Sequence, residues 1–181
     1  MSIESEFSSS YGHLIRDVQD FPKPGILFKD ITPLLQSATA RKAVIMNLKA
    51  QFEKESIDAV AGIEARGFLF GVPLADVLEV PFIPVRKAGK LPYLRVSESY
   101  DLEYGQATIE IHRDAVQNGQ RVLIHDDLLA TGGTCIAAAR LLKKLGAVTA
   151  GFSFLINLSF LEGAQKLNSE FGINPKWLIK Y

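Results

Sequence analysis

The sequence predicts an α/β fold built on a parallel sheet. Short apolar runs indicate buried strands at residues 59–63, 122–124 and 148–156. Segments with the helical spacing of apolar residues lie between these runs, and this alternation of strand and helix is typical of a parallel sheet. Because the chain has 181 residues and no low-complexity linker, we expect a single domain over residues 1–181.

The first half of the chain supplies two helices and two strands. Residues 38–56 place Val44, Ile45, Leu48 and Phe52 at helical spacing, opposite a charged face. The strand at residues 59–63 follows. A helix is then predicted over residues 67–78, interrupted near its start by Pro73, and the next strand over residues 81–85.

The second half repeats the pattern after an intervening hairpin. Ala107, Ile109 and Ile111 alternate with Thr108, Glu110 and His112, which is the spacing of a half-buried strand with one polar face. With the polar stretch before it, this strand predicts a hairpin or flap that projects from the sheet within residues 88–114. A helix over residues 134–145 follows the strand at 122–124, with lysines in its last turn and Gly146 as its cap.

Composition excludes several classes of partner. The 20 basic and 20 acidic residues cancel, so no charge excess points to nucleic acid or to an anionic membrane. No apolar stretch reaches the length of a membrane-spanning helix, and the N-terminal residues do not resemble a signal peptide. The single cysteine, Cys135, allows no internal disulfide. We expect a cytoplasmic protein with no nucleic-acid or membrane partner.

Residues 122–134 are the most informative segment. A buried strand runs into Asp126 and Asp127, then into a turn with two glycines, then into a helix. Glycines let backbone N–H groups approach an anion, and the start of a helix adds unpaired N–H groups. Thr131 and Thr134 can add hydroxyl donors, whereas no lysine follows the glycines as it would in a Walker A loop. The alternative is a plain strand-to-helix turn in which a threonine caps the helix.

The adjacent carboxylates of Asp126 and Asp127 favour a binding role. Two such groups at the end of a strand repel each other and gain little structurally. They suit a ligand with hydroxyl groups, a metal ion or a developing positive charge. We therefore expect an anion site that also contacts a polyhydroxylated group.

Residues 126–134 resemble the phosphoribosyl pyrophosphate signature of type I phosphoribosyltransferases, in the form typical of the adenine-specific members. The resemblance implies their fold, a parallel sheet with helices on both faces and a projecting β flap. It implies that Asp126 and Asp127 are catalytic and face the ribose hydroxyls. It also implies that the 5-phosphate is cradled by Ala130, Thr131, Gly132, Gly133 and Thr134.

Residues 21–33 resemble the segment that covers adenine in this family, so residues 1–35 are interpreted as a base-covering segment. The resemblance implies that Phe28 stacks on the base and that the backbone of Leu27 and Lys29 reads its edge. The alternative is a proline-rich surface loop with Phe28 buried in the core.

Arg66 follows the strand at residues 59–63 and precedes Gly67, a position that suits bidentate capture of pyrophosphate. The alternative is a simple ion pair between Arg66 and Glu64. Taken alone, the basic loop that contains Lys87 and Lys90 would be a solvated surface loop. The resemblance instead makes both lysines pyrophosphate contacts, with Lys87 reaching across a dimer interface.

Residues 99–105 resemble the mobile loop that closes over the substrates in this family. The resemblance implies that Glu103 is the proton donor to the purine and that Tyr104 is a lid contact. The alternative is an exposed, charged hairpin. His125 lies within a predicted strand, and we expect it to be a core residue and not a catalytic one.

Taken together, the resemblance implies conversion of adenine and phosphoribosyl pyrophosphate to AMP and pyrophosphate. It implies a homodimer and a Mg²⁺ ion that is carried by the pyrophosphate without direct protein ligands. Two alternatives stay open. One is a transferase for 6-oxopurines, although no lysine immediately follows residue 134 to bind a 6-oxo group. The other is a non-catalytic regulator that senses phosphoribosyl pyrophosphate, although the chain has no recognisable DNA-binding helix pair.

Overall fold

A computed structural model of the chain describes residues 3–101 and 105–181, and it has an α/β fold around a seven-stranded sheet. The strands are β1 (Arg16–Gln19), β2 (Leu27–Asp30), β3 (Ala59–Ile63), β4 (Phe82–Lys87), β5 (Arg95–Asp101), β6 (Gln106–His112), β7 (Arg121–Leu129), β8 (Val148–Asn157) and β9 (Lys176–Lys180). The helices are α1 (Ile3–Tyr11), α2 (Thr32–Gln36), α3 (Ala38–Gln51), α4 (Gly67–Leu78), α5 (Gly133–Lys144) and α6 (Gly163–Phe171).

The strand order of the main sheet is β5-β6-β4-β3-β7-β8-β9. Strands β4, β3, β7, β8 and β9 are parallel to one another. Strand β6 pairs antiparallel with β4, and β5 pairs antiparallel with β6, so these two strands extend the sheet at its β4 edge. From β3 the chain moves outward to β4, and from β7 it moves the opposite way to β8. The point between β3 and β7 is therefore the topological switch point, where ligands bind beyond the carboxyl ends of the strands.

Helices cover both faces of this sheet, as the resemblance implies. Along β3, Ala59, Ala61 and Ile63 face one core, whereas Val60 faces the other. The first core contains residues of α5 and α6, and the second contains residues of α1, α3 and α4. Because successive side chains of a strand point to opposite faces, each central strand is apolar at nearly every position.

The predicted strand at residues 59–63 and the predicted helix at residues 67–78 are confirmed with the same bounds. The interruption expected at Pro73 is wrong, because α4 continues through this residue. The predicted end of the helix over residues 38–56 is wrong, because α3 ends at Gln51. Phe52 is buried, but residues 53–56 are exposed. These last residues have no apolar side chain that could pack against the core and extend the helix.

The strand predicted over residues 122–124 is longer than expected. Strand β7 continues to Leu129, so Asp126 and Asp127 lie inside the strand and not after it. Pairing with the long strand β8 explains this, since Asp126 is in register with Phe154 and Leu128 with Ile156. The two carboxylates are consequently fixed by a sheet ladder.

The hairpin predicted within residues 88–114 is confirmed as β5 and β6. It joins the main sheet through two registered pairs, Arg86 with Glu110 and Lys87 with Ile109. The rest of the hairpin extends past β4 and contacts α5. Glu103 and Tyr104 lie outside the described residues. No helix within residues 3–101 and 105–181 is long and apolar enough to cross a membrane.

Candidate active site at the switch point of the sheet

Residues 130–134, which we call the glycine loop, connect β7 to α5. Gly132 has a φ of 83°, which L side chains rarely adopt, and it forms the N-cap of α5 without a side-chain hydrogen bond. The alternative in which a threonine caps this helix is therefore wrong. The loop lines a cavity of about 70 Å³ together with Asp126 and Cys135, and it leads directly into the N-terminus of α5, which favours anions.

Asp126 and Asp127 lie next to this loop. Asp127 is 3% exposed, whereas Asp126 is partly exposed. Burial and the neighbouring Asp127 raise the pKa of Asp126 well above its ordinary value. Burial also raises the pKa of Asp127, although Arg66 opposes this effect. The pair therefore binds a proton more readily than two exposed aspartates would.

Arg66 connects the turn after β3 to this carboxylate pair. Its Nε lies 3.0 Å from Oδ2 of Asp127. A glycine at position 67 allows the close approach, because a Cβ there would lie 3.0 Å from Oδ1 of Asp126 and 3.0 Å from the carbonyl oxygen of His125. The alternative ion pair between Arg66 and Glu64 is not the one formed, since Glu64 binds Arg86.

Two carboxylates hold the basic loop, residues 86–90, at both ends. Glu64 accepts hydrogen bonds from the amide of Lys87 at 3.0 Å and from the guanidinium of Arg86 at 3.2 Å. Glu110 accepts one from the amide of Gly89 at 3.0 Å. Burial opposes ionisation of both carboxylates, but these hydrogen bonds outweigh it and lower the pKa of each. The side chains of Lys87 and Lys90 remain exposed.

Glu110 lies on the polar face of its strand, as expected, and its partner across the hairpin is Ser97 of β5. Glu110 is buried, and its carboxylate lies 3.0 Å from Nε of Arg95 and 3.2 Å from the hydroxyl of Ser97. These partners compensate for the loss of hydration. A strand pattern alone does not reveal them, because both lie on the neighbouring strand β5.

The base-covering segment places an aromatic ring beside Arg66. The guanidinium carbon of Arg66 lies 4.9 Å from the centroid of the Phe28 ring, and Phe21 packs edge-on against the same ring at 5.0 Å. Phe28 is half-buried and lies outside both cores of the described chain, so the alternative of a core phenylalanine is wrong. Leu27 is exposed, whereas Lys29 is buried.

Tyr100 is a site residue for which the sequence predicted no role. The hydroxyl of Thr134 donates a hydrogen bond to the Tyr100 hydroxyl at 3.1 Å, and the Tyr100 ring would lie 3.4 Å from a Cβ at Gly133. Lys144 and Arg140 of α5 form ion pairs with Glu98 on the same strand. The hairpin β5–β6 therefore contacts the glycine loop directly. Because 34 residues separate Tyr100 from Thr134, no local pattern signals this contact.

His125 is a core residue, as expected. It is fully buried within β7, directly before Asp126, and its Nδ1 lies 3.2 Å from the hydroxyl of Ser153 on β8. Burial lowers the pKa of His125 from 6.5 to about 4, so the ring is neutral at physiological pH.

The structure thus brings Phe28, Arg66, Asp126, Asp127 and the glycine loop together at the switch point. The charge of Lys90 contributes to the lowered pKa of Glu64. Because Glu64 precedes Arg66 by two residues, Lys90 lies near this side of the site. A loop rich in N–H groups, a carboxylate pair, a guanidinium and an aromatic face can bind a phosphate, a polyhydroxylated group, a second anion and a flat ring.

Comparison with known proteins agrees with this geometry. Residues 31–170 match the phosphoribosyl transferase domain family. The adenine phosphoribosyltransferase of Desulfitobacterium hafniense is 54% identical over 167 residues, which cover 92% of this chain and 95% of the relative. The relative from Thermobifida fusca, which has the same name, is 50% identical over 91% of this chain and 94% of its own length.

Solved structures show the same correspondence. The adenine phosphoribosyltransferase of Thermoanaerobacter pseudethanolicus superposes with a TM-score of 0.92 at 50% identity, covering 96% of this chain and 99% of that one. The enzyme of Saccharomyces cerevisiae, solved with adenine and an imino-altritol bisphosphate, has a TM-score of 0.87 at 35% identity over 96% of this chain and 99% of its own. The chain therefore belongs to the phosphoribosyl transferase family and, within it, to the adenine phosphoribosyltransferases.

Proposed function

We propose that this chain transfers the ribose 5-phosphate of phosphoribosyl pyrophosphate to adenine, producing AMP and pyrophosphate. The observation that carries the proposal is the meeting of the glycine loop, the Asp126–Asp127 pair, Arg66 and Phe28 at one switch point. The names of the relatives support it, and so does the yeast relative that was solved with adenine. They do not favour a 6-oxopurine transferase or a non-catalytic regulator.

Within this proposal, the sugar phosphate binds along β7 and the glycine loop. Amides and hydroxyls of Ala130, Thr131, Gly132, Gly133 and Thr134 hold the 5-phosphate. Asp126 and Asp127 bind the ribose hydroxyls. Their carboxylates also lie where positive charge develops on the sugar, which stabilises the transition state.

The base binds under the hairpin β1–β2. Phe28 offers a half-buried aromatic face on which a purine can stack. The backbone of Leu27 and Lys29 supplies hydrogen-bonding groups to the edge of the ring, since side chains of these two residues are not needed for that role.

Arg66, Lys87 and Lys90 bind the leaving pyrophosphate, because concentrated cations stabilise its developing charge. Within residues 3–101 and 105–181, no three His, Cys, Asp or Glu side chains form a group that could hold a metal ion. We propose that the phosphate oxygens of the substrate, which are ligands that Mg²⁺ prefers, would hold this ion, and that it would supply charge neutralisation there.

In the reaction, the bond from the anomeric carbon to pyrophosphate breaks and a bond from that carbon to N9 of adenine forms. The imidazole ring of adenine gives up one proton, and we propose that the carboxylate of Glu103 accepts it and, in the reverse direction, donates it to the purine. Tyr104 closes over the substrates and helps to exclude water from the sugar cation. A Glu103→Gln variant with an unchanged rate and pH profile would remove Glu103 from the mechanism.

We also propose a cytoplasmic homodimer. An open groove of about 460 Å³ lies between α3 and α4, and the exposed side chains of Met46 and Leu69 line it. Such an apolar surface is typical of a protein interface. Leu69→Asp should then shift the sedimentation coefficient towards that of a monomer. A highly charged sugar diphosphate does not cross membranes, which supports a cytoplasmic location.

The activity is tested by incubating the protein with adenine, phosphoribosyl pyrophosphate and Mg²⁺, and by measuring AMP and pyrophosphate together. We expect the two products in equal amounts and no reaction after chelation of Mg²⁺. Binding of phosphoribosyl pyrophosphate without product formation would contradict the proposal and support a sensing role.

A further inference from the structure

The hairpin β1–β2 is not a part of the main sheet. Its two strands pair with each other from Arg16 with Asp30 to Gln19 with Leu27, as a separate antiparallel sheet. Among the residues that the structure describes, no strand ladder therefore fixes the height of this hairpin above the glycine loop. Its position depends on side-chain contacts with the rest of the protein.

Lys29 makes one of these contacts. Its ammonium lies 3.7 Å from the centroid of the Tyr181 ring and 2.6 Å from the carboxylate of Asp17. The lysine is only 6% exposed. The Tyr181 ring is 36% exposed, so its attraction for the ammonium is partly screened by water. It is the second partner of this cation beside Asp17.

The backbone of Tyr181 is itself fixed beside the glycine loop. Its amide donates a hydrogen bond to the carbonyl oxygen of Asn157 at 2.9 Å. Its carbonyl oxygen accepts hydrogen bonds from the amide of Ser159 at 2.9 Å and from the Ser159 hydroxyl at 2.7 Å. Asn157 is in register with Leu129, the residue before the glycine loop. Tyr181 thus connects the hairpin β1–β2 to the end of β8, which pairs with the strand that leads into the glycine loop.

We propose that Tyr181 is a positioning residue for the base, which holds Lys29, and with it Leu27 and Phe28, at a defined distance from the glycine loop. This inference rests on the proposed function for the role of the base. Tyr181 acts through Lys29 and does not contact the substrate. Burial and the nearby Asp17 raise the pKa of Tyr181, so the ring stays neutral and retains its electron-rich face.

Steady-state kinetics of two variants test this role. Tyr181→Leu removes the aromatic face but keeps an apolar side chain, and we expect the KM for adenine to rise about threefold, which corresponds to the loss of a partly exposed cation–π contact. The KM for phosphoribosyl pyrophosphate should stay near the wild-type value. Tyr181→Phe retains the ring and should behave like the wild type. Phe160→Leu, at an exposed aromatic residue nearby, is the matched control.

Equal adenine KM values for the Leu and Phe variants would overturn the inference. A rise in both KM values for the Leu variant would also overturn it, because a general loss of structure would then be the cause.

Hydrogen exchange gives a second test that does not require activity. In Tyr181→Leu, the amides of residues 16–30 should exchange faster than in the wild type and in Tyr181→Phe, while those of β7 should not change. Unchanged exchange of the hairpin would refute the positioning role. Failure of the wild type to form AMP would instead refute the proposed function and leave the exchange result to judge the contact between Lys29 and Tyr181.

Discussion

Arg66 and Asp127 lie 3.0 Å apart, and their ion pair joins the turn after β3 to the interior of β7. No hydrogen-bond donor is aligned with Oδ2 of Asp127 within the described residues, so the contact is an ion pair without ideal hydrogen-bond geometry. It unites the proposed pyrophosphate and ribose subsites across the switch point.

Asp127→Asn tests the ribose subsite. The substitution keeps the shape of the side chain but removes its negative charge from the developing sugar cation, and we expect kcat to fall by at least about tenfold. The measurement is the initial rate of AMP formation with both substrates saturating. Asp114→Asn, at an exposed aspartate, is the control. A normal kcat in Asp127→Asn would remove this residue from the mechanism.

Asp126→Asn tests the electrostatic state of the carboxylate pair. The pKa of Asp126 is raised above its ordinary value of 3.8. Between that value and the raised pKa, the folded chain therefore binds more protons than the unfolded chain. The free energy of unfolding contributed by Asp126 consequently falls as the pH rises through the raised pKa. The neutral amide does not have this dependence.

We expect Asp126→Asn to increase the free energy of unfolding by roughly 1 kcal/mol near pH 8, and this gain to disappear near pH 4. Urea denaturation at the two pH values measures it. A gain that is independent of pH would show that packing, and not ionisation, is responsible. AMP formation should be reduced even though the protein is more stable.

Tyr100→Phe tests the contact between the hairpin β5–β6 and the glycine loop. The variant loses the hydroxyl that lies 3.1 Å from Thr134 Oγ1. We expect the KM for phosphoribosyl pyrophosphate to rise roughly fivefold, which corresponds to one neutral hydrogen bond. Tyr93→Phe, at an exposed tyrosine on the loop before β5, should leave this KM unchanged. Equal values for the two variants would show that the contact does not assist binding.

Glu64→Gln tests how the basic loop is held. The neutral side chain loses its ion pair with Arg86 and a charge-assisted hydrogen bond from the amide of Lys87. Inhibition by pyrophosphate should then weaken about threefold to tenfold, while the KM for adenine does not change. Glu53→Gln, at an exposed glutamate after α3, is the matched control. An unchanged inhibition constant would separate this loop from pyrophosphate binding.

The sequence predicted those elements that are specified by the spacing of apolar residues within one short segment. Strand β3 and helix α4 have the predicted bounds because an apolar run and a helical stripe each specify one element without help from distant residues. The glycine loop was predicted for the same reason, since its turn is encoded by adjacent glycines.

The contacts that the sequence did not reveal join residues far apart in the chain. Burial of Glu110 depends on Arg95 and Gly89, and the contacts of Tyr100 and Tyr181 depend on Thr134 and Lys29. Each requires knowledge of strand register, which a short polar and apolar pattern does not determine. The length of β7 likewise follows from its pairing with β8.

The most direct test of the proposed function is release of pyrophosphate from phosphoribosyl pyrophosphate with Mg²⁺, measured separately with adenine, hypoxanthine, guanine and xanthine. We expect release with adenine alone, accompanied by an equal amount of AMP, because the hairpin that carries Phe28 is interpreted as a cover for adenine. Release with a 6-oxopurine and not with adenine would contradict the assignment of the base, although the phosphate site would stand.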